Sequence, residues 1–172
     1  MAVPEAQVFE LQVFEVQVFE AIKSFVADLA NGDGQPGDLG DDEFRVAYAA
    51  LLVHAAAIDG SVSESERDKL KSLLMQRFEL DQGATTELIA RATAADERAV
   101  DLYHFTRLLN ERLDEPGRLR MIETMWTVAY ADGAPSDYEN NLIWRVADLL
   151  GVSQAERVAL RQRAAATCSD PA

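Results

Sequence analysis

The fold of this chain is decided by one short pattern that occurs twice, first as Ile58-Asp-Gly-Ser-Val-Ser-Glu-Ser-Glu66 and again as Ala131-Asp-Gly-Ala-Pro-Ser-Asp-Tyr-Glu139. Both copies read Asp-Gly-x-x-Ser-acid-x-Glu, and matching residues lie 73 positions apart. An apolar run precedes each copy, and a run with helical periodicity follows it. The pattern therefore predicts a repeated unit of helix, turn and helix.

Helix capping accounts for most of the pattern. The glycine of each copy can adopt a positive φ and end a helix at little cost. The serine can cap the next helix, and the glutamate three residues later completes a Ser-x-x-Glu capping box. Capping does not account for Asp59 and Asp132, because an acid at the C-terminal end of a helix opposes the helix dipole. Those two residues indicate a second role for the turns.

The composition is that of a folded, acidic protein. The chain has 172 residues, of which 48% are hydrophobic, and its formal net charge is −14. A length of this order is typical of one domain with a proper core. Residues 1–43 carry ten acids and one base, so most of the excess charge lies at the start. The acidity argues against nucleic-acid binding and against electrostatic attachment to anionic lipid.

Nothing in the sequence indicates export or membrane insertion. Cys168 is the only cysteine, which fits a reducing compartment. The chain does not open with a secretory signal pattern. Its longest mainly apolar stretch, Val46 to Ile58, is too short to cross a bilayer. We expect a cytoplasmic protein with no transmembrane segment.

Three regions are predicted. Residues 1–43 hold a pentad tract (Gln-Val-Phe-Glu-x three times, residues 7–21), an amphipathic helix and an acidic, glycine-rich linker. Residues 44–167 form the helical domain, and residues 168–172 form a tail. The linker is predicted as a loop from Asn31 to Gly40. The stripe of the amphipathic helix consists of Val18, Ile22, Phe25, Val26 and Leu29.

The fold class is predicted to be all-α, a compact bundle of about seven to eight short helices built from two related halves. Helical stretches follow in chain order: one capped by Asp41 or Asp42 and running to Ile58, one from about Glu64 to Phe78, one opened by Asp81, one opened by Asp96 and covering Ala99 to Leu113, one with Pro116 in its first turn, one from about Asp137 to Leu150 ended by Gly151, and one capped by Ser153.

The sequence resembles the TerB family, the tellurite-resistance TerB-like domains, over roughly residues 44–163. The resemblance rests on the doubled turn in its helical setting, with Ala49-Ala-Leu-Leu-Val-His-Ala-Ala-Ala-Ile-Asp-Gly60 before the first turn and Ala129-Tyr-Ala-Asp-Gly133 in the second. It also rests on Asp101-Leu-Tyr-His-Phe105 and on the run Glu139-Asn-Asn-Leu-Ile-Trp-Arg-Val-Ala-Asp-Leu-Leu-Gly151.

The resemblance implies a compact all-α fold and a role in resistance to tellurite or general chemical stress, without an established enzymatic reaction. It implies that acidic residues of the two turns bind a divalent cation. Carried over to this chain, those ligands are Asp59, Glu66, Asp132 and Glu139, with Ca²⁺ or Mg²⁺ as the expected ion. We also expect a protein partner, for which a membrane-associated stress-resistance protein is one candidate.

Two other functions stay open. The first is a metal-free helical interaction module, in which the turns are purely structural and the surface near Trp144 or the N-terminal tract binds a protein. The second is a hydrolase that uses paired carboxylates, which would need a cleft lined by acids and a raised pKa on one of them. We expect no enzymatic activity, because the sequence contains no phosphate loop, catalytic triad order or nucleophile elbow.

Three further residues are candidates for chemistry but are more simply explained by structure. His54 and His104 lie in apolar helical stretches without a second ligand at a metal-binding spacing, so both are predicted to pack in the core or between helices. Cys168 lies in a polar tail and is predicted to be an exposed, incidental thiol.

Two tryptophans and three arginines complete the set. Trp126 aligns with an apolar position of the first copy and is predicted to be core. Trp144 aligns with a lysine and is predicted to cover the second turn or face a partner. The last helix carries Arg157, Arg161 and Arg163, which are predicted to form a solvated face.

Overall fold

A computed structural model describes residues 36–60 and 62–169. In that part of the chain there are seven helices and no strand, so the predicted all-α fold is confirmed. None of these helices is both long enough and apolar enough to cross a membrane. In chain order they are α1 (Pro36–Ala57), α2 (Glu64–Phe78), α3 (Gln82–Arg98), α4 (Tyr103–Arg112), α5 (Glu115–Ala129), α6 (Asp137–Leu149) and α7 (Gln154–Ser169).

The contacts divide the chain into two units, Met1–Asp41 and Asp42–Ala172. The pentad tract, the amphipathic stripe and the first five residues of the predicted linker lie outside the described residues.

Helix α1 is enclosed by the rest of the second unit. Every residue from Ala47 to Val53 is buried, so no face of this segment reaches solvent. A helix that is apolar all round is a buried helix, and its alanines let neighbouring helices approach closely. Tyr48 contacts both flanking elements: its ring centroid lies 5.4 Å from that of Phe78 in α2, and its hydroxyl donates to Thr124 in α5 at 3.4 Å.

Helix α5 is the second central element. It packs against α2, α6 and, most extensively, α7. Trp126 is 1% exposed, which confirms its predicted place in the core. The other buried apolar residues of this helix are Met121, Ile122, Met125, Val128 and Ala129.

Of the three arginines of α7, Arg163 is exposed as predicted, whereas Arg157 and Arg161 are partly buried and do not lie on a solvated face. Arg157 donates to the carbonyl oxygen of Val152 at 2.7 Å and to Asp148 at 2.8 Å. Arg161 lies over the Trp126 ring, with its guanidinium carbon 5.4 Å from the ring centroid, and Arg163 forms an ion pair with a glutamate of α5 at 3.3 Å. The prediction missed these contacts because all but the Val152 bond join α7 to other helices, which the pattern of one helix does not reveal.

Most helix boundaries follow the local signals in the sequence. Helix α2 has the predicted bounds. The Asp81 carboxylate caps α3, accepting from the Ala84 backbone N–H at 2.8 Å, and Pro116 lies in the first turn of α5. Gly151 follows α6 with a φ of 71°, as expected for a glycine that ends a helix.

Two boundary predictions were wrong. Helix α1 begins at Pro36, inside the predicted loop, because proline is tolerated at the first helical position, where its missing N–H needs no partner. Asp42 therefore lies within the helix and pairs with Arg91 of α3. Likewise, α3 continues through Asp96 to Arg98, and α4 begins only at Tyr103. Asp96 does not open a helix, because its carboxylate is engaged by another helix.

The two histidines have different environments. His54 in α1 lies 2.8 Å from Asp96 in α3, measured from Nδ1 to the carboxylate oxygen, and so ties the two helices together. His104 is exposed, which contradicts its predicted packing position. It precedes the buried Phe105 by one residue, and the two ring centroids lie 5.7 Å apart in an edge-on contact, so His104 touches the edge of the core while remaining open to solvent.

The end of α2 gives a stability prediction. Glu79 has a φ of 53°, a left-handed conformation that costs a residue with a Cβ about 1 kcal/mol relative to glycine. We expect Glu79→Gly to raise the free energy of unfolding by roughly that amount, as measured by urea titration.

Gly151→Ala is the matched control of opposite sign. A Cβ at Gly151 would meet nothing within 4 Å, so the cost there comes from the backbone alone. We expect this substitution to lower the free energy of unfolding by about 1 kcal/mol. A destabilised Glu79→Gly would contradict the assigned conformation at the end of α2.

Candidate cation site at the two Asp-Gly turns

The first turn links α1 to α2 through a complete capping box. Gly60 has a φ of 89°, and its N–H bonds to the Ala57 carbonyl oxygen at 2.9 Å. The Ser63 hydroxyl accepts from the Glu66 N–H at 3.1 Å, while Glu66 Oε2 accepts from the Ser63 N–H at 2.8 Å. Glu66 is only 4% exposed, so its carboxylate is buried as well as bonded.

The second turn repeats this geometry between α5 and α6. Gly133 has a φ of 138°. The Ser136 hydroxyl accepts from the Glu139 N–H at 3.2 Å, and Glu139 Oε2 accepts from the Ser136 N–H at 2.7 Å. Glu139 is 5% exposed. The predicted structural role of the serine, glycine and glutamate in each copy is therefore confirmed.

A third box, at the start of α7, serves as an internal reference. There the Ser153 N–H bonds to Glu156 Oε2 at 2.9 Å, but no Asp-Gly pair precedes it. The hydrogen bonds from the Ser153 side chain and backbone lower the pKa of Glu156 below its ordinary value of 4.5. This is the expected result when hydrogen bonds stabilise a carboxylate that remains close to water.

Glu139 has the opposite shift although it makes the same hydrogen bonds. Burial raises the pKa of Glu139 above 4.5, and it outweighs the bonds from Ser136. The negative charges of Glu66 and Asp59 raise that pKa further. The acids of the first turn thus act on the carboxylate of the second, so the fold brings the two copies close enough to interact.

One oxygen of Glu139 has no partner. Oε1 is buried and makes no hydrogen bond within the described residues. The neighbouring Asn140 has a buried Oδ1 in the same condition, because its amide nitrogen is used to donate to the carbonyl oxygens of Pro135 at 3.2 Å and Ser136 at 2.8 Å. A buried acceptor without a donor costs free energy. A proton would satisfy the Glu139 oxygen, and a cation could be a partner for both oxygens.

The four predicted ligands fall into two environments. Glu66 and Glu139 are buried, whereas Asp59 and Asp132 are exposed. The electrostatic contacts join Glu139 to Glu66 and to Asp59 but do not include Asp132. Within the described part of the chain, no three or more histidine, cysteine, aspartate or glutamate side chains are arranged as a metal-binding group. The predicted metal site is therefore still a prediction.

Asn140 is the residue that the sequence reasoning missed. The signal was available in the repeat, because Asn140 matches Arg67 of the first copy. Arg67 donates to the carbonyl oxygen of Val62 at 2.9 Å, just as Asn140 donates to the matching Pro135. The amide differs from the guanidinium in that it also carries an acceptor oxygen, so the second turn has one more potential ligand and one positive charge fewer than the first.

Trp144 is half-buried against the core, and the guanidinium carbon of Arg157 lies 5.8 Å from its ring centroid. Part of the Trp144 surface, which was predicted to face a partner, is therefore covered by contacts within this chain. Its role toward a partner is still a prediction.

The opposite shifts of Glu139 and Glu156 lead to a pH prediction. A raised pKa in the folded state favours the protonated form, so the stability it confers is present below pH 4.5 and is lost as the pH rises through the raised pKa. Glutamine imitates the protonated form. In EDTA, the free energy of unfolding of Glu139→Gln relative to that of the wild type should therefore be higher at pH 7 than at pH 4.

Glu156→Gln is the matched control. Its lowered pKa confers stability above pH 4.5 that is lost as the pH falls through the lowered value. This variant should therefore be less stable than wild type at pH 7, and the difference should shrink in acid. Chemical unfolding at both pH values measures the two effects. If the stability of both variants relative to wild type changed in the same direction between pH 4 and pH 7, the burial argument would be contradicted.

Comparison with protein families agrees with this architecture. Residues 45–162 match the model of the family described as Tellurite resistance protein TerB. Comparison with curated proteins and with solved structures returned no match. The family match spans more than half of the chain, begins in α1 and ends in α7, and includes both Asp-Gly turns. The chain therefore belongs to the TerB family.

Proposed function

We propose that this protein is a non-enzymatic, cytoplasmic member of the tellurite-resistance TerB family that takes up a divalent cation at its two Asp-Gly turns and thereby favours contact with a protein partner. The observation that carries the proposal is the buried Glu139 Oε1, which has no hydrogen-bond donor among the described residues. The negative charges of Glu66 and Asp59 also act on this carboxylate and raise its pKa.

The electrostatics favour a cation over an empty, ionised site. Near neutral pH an ionised Glu139 is penalised by its burial and by two like charges. A divalent ion would offset both contributions, because it attracts all three carboxylates and gives the unpartnered oxygen a ligand bond.

The available ligands suit a hard cation held weakly. Each buried glutamate already gives Oε2 to its capping box, so the protein offers only a few further oxygens from Asp59, Glu66, Asp132, Glu139 and Asn140. Ca²⁺ takes six to eight oxygen ligands, and Mg²⁺ commonly keeps several waters. Water would complete the shell of either ion, and we expect a low affinity.

The burial of Glu139 also bears on catalysis. A catalytic carboxylate must reach the substrate, but this side chain is 5% exposed and half committed to the start of α6. Its raised pKa follows from burial near other acids and does not require a catalytic role. A binding function is therefore favoured over a hydrolase.

The alternative function is a metal-free interaction module. It is favoured by the completeness of the two capping boxes, which hold α2 and α6 without any ion. In that case the turns serve the fold alone, and binding to the partner does not depend on a cation.

Thermal unfolding in EDTA and then with Ca²⁺ or Mg²⁺ separates the two functions. A ligand that binds only the folded state adds about 2.7 kcal/mol at a hundredfold excess over its dissociation constant. We expect such a rise for the wild type and its loss in Asp59→Asn/Asp132→Asn, which leaves both capping boxes intact.

Glu87→Gln/Glu97→Gln is the control, because it removes two exposed acids of α3 and so the same formal charge. It should keep the full response to the ion. If neither ion stabilises the wild type, the cation proposal fails and the metal-free module remains. An equal loss in both double variants would show that the response is general charge screening and not binding at the turns.

A further inference from the structure

A cluster of aromatic rings carries two arginines where the middle of α1 meets the end of α2. The ring centroids of Phe44, Tyr48 and Phe78 lie 5.4 to 6.1 Å apart. The guanidinium carbons of Arg45 and Arg77 lie 5.8 Å and 5.5 Å from the centroid of the same Phe78 ring. We call these five residues the Arg45–Arg77 surface.

Within the described residues, these two guanidinium groups contact aromatic rings and make no hydrogen bond or ion pair. Arg157 and Arg161 also stack on rings, but each in addition donates a hydrogen bond to a neighbour in the fold. Among the described residues, neither Arg45 nor Arg77 has a hydrogen-bond or ion-pair partner. Both side chains are exposed, so their N–H groups are available to a ligand.

The arrangement favours an anion. Both guanidinium carbons lie within 5.8 Å of one ring centroid, so their charges repel each other, and a carboxylate beside either group would be attracted by both. A guanidinium group that lies over a ring still has N–H groups at its edge, which can form two parallel hydrogen bonds to a carboxylate. Phe44 and Phe78 are half-buried, so their outer edges also offer apolar contact beside the charges.

The net charge of the chain limits what the anion can be. At −14, the chain as a whole would repel a nucleic acid or a broadly acidic protein surface. A short segment with a few carboxylates beside an apolar side chain avoids most of that repulsion. Arginine and aromatic residues are also the types that contribute most at protein interfaces.

We propose that the Arg45–Arg77 surface binds a short acidic segment of a partner protein, with carboxylates pairing with the two guanidinium groups and an aromatic or aliphatic side chain lying on Phe44 and Phe78. This surface consists of arginines and aromatic rings and contains none of the acids of the two turns. The proposal therefore does not depend on a bound cation.

The test is fluorescence anisotropy with the full chain in EDTA, which keeps the result separate from any cation effect. The probe is a labelled ten-residue peptide with two acids on each side of one phenylalanine, and the control peptide carries the matching amides. We expect the acidic peptide to bind the wild type about tenfold more tightly than the amide peptide. Equal binding of both peptides, or binding of neither, would overturn the proposal.

The variants locate the contact. Arg45→Gln/Arg77→Gln should weaken binding of the acidic peptide about tenfold. Arg98→Gln/Arg145→Gln removes the same charge from two other exposed positions and should change it less than about twofold. Equal losses in the two double variants would assign the effect to net charge and sink the proposal.

Three further measurements keep the result interpretable. Thermal unfolding of each variant shows whether the exposed substitutions leave the fold intact, and Arg77→Lys, which keeps the charge but not the planar fork, should bind at an intermediate level. If a short single-stranded oligonucleotide binds at this surface and the acidic peptide does not, the ligand chemistry is phosphate and the proposal is wrong.

Discussion

The enclosure of α1 is the constraint on which the other positions depend. Seven consecutive buried residues, Ala47 to Val53, need neighbours on every side, and the small alanines allow those neighbours to approach closely. Tyr48 contacts α2 and α5, and His54 bonds to Asp96 of α3. Because α1 leads directly into the first Asp-Gly turn, the same enclosure fixes where that turn lies relative to the second.

The doubled turn shows how a local motif acquires long-range electrostatics. Each capping box is satisfied by residues three apart in sequence, and neither copy needs the other to form. Folding nevertheless buries both glutamates and brings the charges of Glu66 and Asp59 to bear on Glu139. The excess negative potential at Glu139 therefore arises from the tertiary fold. The hydrogen bonds at the same residues arise from the local sequence.

This division explains what could be predicted. The boxes at Ser63 and Ser136 were predictable because spacing alone determines them, and the fold class followed from helical periodicity and family resemblance. Asp96 was misread as a cap because its partner, His54, is 42 positions away in sequence. The unpartnered oxygen of Glu139 could not be predicted either, since it depends on which helices cover the second turn. The hydrogen bonds within both boxes were predicted correctly, whereas the caps assigned to Asp41 or Asp42 and to Asp96 were wrong, because Asp42 and Asp96 pair with residues of other helices.

In each turn one glutamate both caps a helix and is a candidate ligand. This double role affects how the phenotypes of mutants at these positions can be interpreted. An alanine at Glu66 or Glu139 would remove a cap interaction before it removed any ligand, and losing a cap costs about 1 kcal/mol of the 5–15 kcal/mol that holds a typical domain folded. A change of that size can alter cellular abundance several-fold. A stress-sensitive phenotype at these positions would thus report protein level as readily as ion uptake, whereas the exposed Asp59 and Asp132 avoid that ambiguity.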